Sequence, residues 1–80
     1  MTKEDIFEIV KRMTAEVLPD VPLEMITIDK QLKDLGANSI DRVEIVMLVI
    51  EELGIHLPVP ELGSVRNLHD LVDRLYANAE

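Results

Sequence analysis

The sequence predicts an all-α chain, a small bundle of three main helices plus one short helix, with a long ordered loop between the first and second helices. Three observations predict it. Apolar residues recur at three- and four-residue intervals in three stretches, no stretch alternates apolar and polar residues, and every proline and glycine falls between the periodic stretches. Residues 1–80 are expected to form a single domain, since a chain of 80 residues has room for one core only. Apolar residues make up 48% of it and are nearly all aliphatic, Phe7 and Tyr76 being the only aromatics. That content offsets chain entropy and excludes disorder.

The first helix carries a start signal. Thr2 and Asp5 stand three apart as a capping pair, and Glu4 and Asp5 suit the positive end of the helix dipole. Ile6, Ile9, Val10, Met13 and Val17 follow at helical spacing before Pro19 and Pro22 stop the helix. The connection from Leu18 to Asn38 is longer than most helix-to-helix loops. Leu23, Ile26, Ile28, Leu32 and Leu35 offer it apolar anchors, so an ordered loop is expected, with a helical turn near Gln31 to Leu35 ended by Gly36. Ser39 to Leu53 is the strongest helix, with Gly54 where a left-handed cap belongs. Pro58 and Pro60 leave only a short helix or turn around Pro60 to Gly63. Ser64 is expected to cap the last helix, whose Leu68, Leu71, Val72 and Leu75 fall at i, i+3, i+4 and i+7.

Composition narrows the function. Sixteen acidic residues against eight basic ones give a net charge of −8, which repels phosphate-rich partners and argues against nucleic-acid binding. The same acidity suits partners with basic docking patches, and equally suits simple solubility. Without cysteine there are no disulfides, thiolate metal sites or cysteine nucleophiles. His56 and His69 fit no zinc spacing and read as surface or packing groups, the carboxylates follow no EF-hand series, and no metal is expected. The start Met1-Thr2-Lys3-Glu4-Asp5 lacks the order of a signal peptide, and no apolar run approaches a membrane span. A soluble, cytoplasmic monomer is the expectation.

The second helix has more apolar residues than one buried face needs. Placed at about 100° per residue, Ile45, Val46, Val49 and Leu53 form one arc, and Ile40, Val43, Met47 and Ile50 form another. Glu44 and Glu51 flank the second arc, whereas Asp41 and Glu52 lie beyond Leu48. Two readings follow: a central helix packed on several sides, or a partner patch of Ile40, Met47 and Val43 rimmed by carboxylates. Periodicity does not choose between them.

The segment Asp34-Leu35-Gly36-Ala37-Asn38-Ser39-Ile40-Asp41, followed by Val43-Glu44 and Met47, resembles the attachment region of acyl carrier proteins. The resemblance extends to Ile26-Thr27-Ile28-Asp29 with Leu32, to Glu52-Leu53-Gly54-Ile55-His56-Leu57-Pro58 and to Ser64-Val65-Arg66-Asn67-Leu68, covering nearly the whole chain. It implies a 4'-phosphopantetheine arm, drawn from coenzyme A and esterified to Ser39, on which acyl groups ride as thioesters. It also implies a docking surface of Ile40, Asp41, Val43, Glu44, Met47 and Glu51. The implied partners are a phosphopantetheinyl transferase, acyltransferases, ketosynthases and related acyl-processing enzymes. No catalytic residue is implied, the chain being a carrier without activity of its own.

The residues support the chemistry this requires. Ser39 opens the longest helix just after Gly36-Ala37, where backbone N–H groups and the dipole favour a phosphodiester. As a lone residue Ser39 reads first as a helix cap, a task Asn38 also suits. A serine hydrolase is the poorer reading, because the surroundings are not G-x-S-x-G and no histidine is placed by sequence as a base. An unmodified helical interaction module is the other alternative.

Some positions depart from the common family pattern. Asn38 stands where most members have Asp, Ile50 where fatty-acid carriers often have Glu, and Leu57 to Ser64 holds only Glu61. Arg42 brings a positive charge into the first helical turn. Gly36-Ala37 lacks the Gly-Gly pair of peptidyl carriers. The pattern is more similar to discrete carriers of polyketide or related secondary-metabolite pathways than to fatty-acid carriers.

Overall fold

The computed structural model describes residues 2–55 and 67–78. These form helices α1 (Lys3–Val17), α2 (Ser39–Leu53) and α3 (Leu68–Asn78), with single 3-10 turns at Leu23–Met25 and Leu32–Leu35 in the α1–α2 loop. The all-helical expectation holds, with no strand among the described residues. The short helix expected around Pro60 to Gly63 lies outside them, as does Ser64.

Each start follows from local chemistry. Thr2 caps α1: its side chain accepts the Asp5 N–H at 3.1 Å, and the Asp5 carboxylate accepts the Thr2 N–H at 3.1 Å. Helix α1 ends at Val17, ahead of Pro19. Asn67 caps α3, its Oδ1 accepting the Asp70 N–H at 2.9 Å. Asn67 immediately precedes the first periodic apolar residue, which is where a cap must sit to reach the third helical N–H. Two further N–H groups of α3 are taken by the loop, Leu68 donating to the Lys30 carbonyl at 2.9 Å and His69 to that of Ile28 at 2.8 Å. The long connection is thereby tied to the helix two elements later.

Ile6, Val10 and Met13 of α1, Ile45, Val46 and Val49 of α2, and Leu68, Leu71, Val72 and Leu75 of α3 form the core, with Ile26 and Leu35 from the loop. Of the five expected loop anchors, Ile26 and Leu35 are buried and Leu32 is half-buried. Leu23 and Ile28 are not anchors in that sense. They line an open groove of about 660 Å³ with Phe7, Ile26 and Val72, so each is covered on one side only. Among the described residues two ion pairs bridge the helices: Arg12 to Glu52 at 3.3 Å joins α1 to α2, and Lys3 to Asp73 at 2.9 Å joins α1 to α3. No described helix is long and apolar enough to cross a membrane.

Ile45→Ala empties a site with 0% exposure and is expected to cost about 2–5 kcal/mol, whereas Met47→Ala on the same helix changes stability by less than about 0.5 kcal/mol. Urea unfolding of the two variants checks the contrast. The hydrogen bond from Lys3 holds the Asp73 carboxyl below the usual aspartate range, helped by the nearby His69 and opposed by desolvation. The cap bonds from Thr2 do the same for Asp5. A depressed carboxyl pKa stabilises above the unfolded value, about 3.9, and that contribution is lost as pH falls through the folded value. The urea midpoint is therefore expected to fall from about pH 4 downward, less steeply in Asp73→Asn.

Candidate functional site

The approach to α2 is a short, fully specified turn. Gly36 takes the left-handed conformation, φ 94°, that ends the 3-10 turn at Leu32–Leu35, and its N–H donates to the Lys33 carbonyl at 3.1 Å. A Cβ built there would meet nothing within 4 Å, so glycine answers the backbone conformation, and the space beside it is open. Ala37 follows, buried, its N–H donating to the Leu32 carbonyl at 3.1 Å.

Asn38 is the cap of α2. Its Oδ1 accepts the Asp41 N–H at 2.8 Å while the Asp41 carboxylate accepts the Asn38 N–H at 3.3 Å, a reciprocal capping box. With Asn38 in that role, Ser39 is the first helical residue, exposed, and among the described residues its hydroxyl forms no hydrogen bond. The Arg42 N–H donates to the Asn38 carbonyl at 3.0 Å, which leaves the N–H groups of Ser39 and Ile40 without an acceptor among the described residues. A phosphodiester on Ser39 Oγ fits this setting: a free hydroxyl, open space beside Gly36, and two backbone donors at the positive helix end.

The surplus apolar arc of α2 faces solvent. Ile40 is 75% exposed, Met47 55% and Val43 45%, so the helix is not packed on all sides. Ile50 departs from that arc; it is half-buried against the core because it lies only about 40° round the helix from buried Val46. Glu44 and Glu51 are exposed beside the patch, whereas Glu52 turns to Arg12. The structure thus brings Ser39, Ile40, Val43, Glu44, Met47 and Glu51 onto one accessible end and side of α2, with Asp41 folded back into the cap.

The histidines stand apart. His56 lies outside the described residues. His69 is exposed on α3, its Nδ1 3.3 Å from an Asp73 oxygen, and Lys3 already pairs the other oxygen of that carboxylate. The cluster of His69, Asp70 and Asp73 therefore reads as a charge-paired surface.

The family described as "Phosphopantetheine attachment site" matches residues 8–75. The polyketide biosynthesis acyl-carrier-protein AcpK of Bacillus subtilis (strain 168) is 40% identical over 76 residues, 95% of this chain and 93% of that protein. The acyl carrier protein of Campylobacter hominis is 38% identical over 69 residues, 85% of this chain and 86% of its own. Among solved structures, a chain of the curacin biosynthetic pathway HMG synthase in complex with acetyl donor-ACP superposes with a TM-score of 0.86 at 36% identity, covering 98% of this chain and 100% of that one. The chain belongs to the acyl carrier protein family, the carriers of a covalently attached 4'-phosphopantetheine.

Proposed function

We propose that this protein carries acyl intermediates of polyketide or related secondary-metabolite biosynthesis, that Ser39 is its attachment residue, and that it works in the cytoplasm without catalytic activity of its own. The observation that carries the attachment assignment is the division of labour at the start of α2: Asn38 takes the cap, so the neighbouring Ser39 hydroxyl is exposed and uncommitted. In loading, Ser39 Oγ forms a bond to phosphorus of coenzyme A. The adenosine bisphosphate half leaves, and the hydroxyl proton passes to a base supplied by the transferase. Once attached, phosphopantetheine supplies the thiol that this cysteine-free chain lacks and holds acyl groups as thioesters. The chain's own contribution is position and recognition.

Recognition falls to the exposed face of α2. Ile40, Val43 and Met47 offer an apolar centre, and Glu44 and Glu51 a negative rim that steers partners bearing basic patches. A flexible methionine at the middle suits a surface that must meet a transferase, acyltransferases and ketosynthases in turn. The polyketide assignment is supported by the match to AcpK and by the likeness to a chain crystallised with an HMG synthase of the curacin pathway.

Incubation with coenzyme A and a broad-specificity phosphopantetheinyl transferase is expected to add one phosphopantetheine, read by intact mass. Ser39→Ala is expected to stay unmodified with an unchanged helical spectrum; modification of that variant would remove Ser39 from the role. Reversing the rim with Glu44→Lys and Glu51→Lys is expected to lower transferase kcat/KM roughly tenfold and flatten its salt dependence. A salt series on parent and double variant checks this.

A further inference from the structure

Apart from Glu52, which pairs with Arg12, the carboxylates of α2 sort into two kinds. Glu44 and Glu51 are exposed, and neither is tied to a partner among the described residues. Asp41 is partly buried and committed, its carboxylate accepting the Asn38 N–H while its own N–H donates to Asn38 Oδ1. Angular position separates them again. At about 100° per residue Asp41 lies about 130° from the centre of the arc formed by Ile40, Val43 and Met47, against about 50–70° for Glu51 and Glu44. A carboxylate turned from the apolar patch and bent back along the chain is badly placed to rim it.

What Asp41 does hold is the residue before Ser39. Upstream, the backbone is fixed by the left-handed Gly36, by the Ala37 N–H on the Leu32 carbonyl and by burial of Ala37. Downstream, Ser39 is held by the helix. Asn38 joins the two, and the only bond its N–H makes among the described residues is to Asp41. Releasing that bond leaves Asn38 held by its Oδ1 and its carbonyl alone, so the peptide N–H before Ser39 loses its anchor and the placement of Ser39 loosens.

Resting on the attachment of the arm to Ser39, we propose that Asp41 is a positioning residue for loading: through the reciprocal cap with Asn38 it holds Ser39 Oγ in place for phosphoryl transfer, and the docking rim consists of Glu44 and Glu51 without it. The kinetic signature differs from that of a docking charge. A misplaced hydroxyl lowers kcat and leaves KM for the carrier nearly unchanged, whereas a lost docking charge raises KM.

The test compares Asp41→Ala, Asp41→Asn and Glu44→Gln as transferase substrates, with amide hydrogen exchange of each unmodified chain. Asp41→Ala is expected to lower kcat about fivefold, the size of one lost hydrogen bond, with KM within about twofold. Asp41→Asn keeps an acceptor oxygen and is expected to retain the parental kcat, while Glu44→Gln raises KM only. Exchange at Asn38 is expected to accelerate in Asp41→Ala and not in Asp41→Asn. Equal losses in both Asp41 variants, carried by KM and fading with salt, would overturn the proposal in favour of docking; so would parental kcat in Asp41→Ala, or unchanged exchange at Asn38. The exchange measurement needs no transferase, so failure of the cap and failure of Ser39 as attachment residue are distinguishable.

Discussion

Burial of Ile45 and Val49 on one side of α2 is the constraint on which the rest depends. Both are fully inaccessible, and together with Val46 they fix the rotation of the helix against α1. Once that rotation is set, helical geometry decides where every other residue of α2 points. Ile40, Val43 and Met47 are forced outward, Glu52 is carried toward Arg12, and Asp41 comes to the flank. The cap at Asn38 adds the axial coordinate, and the two together locate Ser39.

Helix α2 shows what a sequence states and what it withholds. Its limits were legible because glycine at Gly36 and Gly54 answers a left-handed backbone that other residues rarely adopt, and both glycines have it. The two apolar arcs were legible as periodicity, but not which of them solvent reaches, since exposure depends on neighbours that periodicity does not name. Ile50 illustrates the difficulty: grouped by spacing with Met47, it is pulled to the core by nearness to Val46. Contacts distant in sequence, such as Arg12 with Glu52, left no local signal at all.

The candidate site was legible for a different reason. Ser39 was marked by its place after a tight turn and before a strong helix, and by the residues around it. The choice between Ser39 and Asn38 as cap needed geometry, because both side chains can accept the same N–H. The pairing of Asn38 with Asp41 carried a sequence signal, a polar cap followed three residues later by an acid, of the kind that did identify Thr2 and Asp5. At Asn67 and Asp70 the same spacing marks the start of α3.

The carbonyls of Ile28 and Lys30 that receive the first N–H groups of α3 have a consequence for the order of assembly. The first turn of α3 is completed by a segment some forty positions earlier in the chain. Asn67 supplies a local acceptor for the Asp70 N–H, but the N–H groups of Leu68 and His69 find theirs only on loop closure. The long connection is in this sense the last helix's template, and a change of its length is felt at the opposite end of the chain.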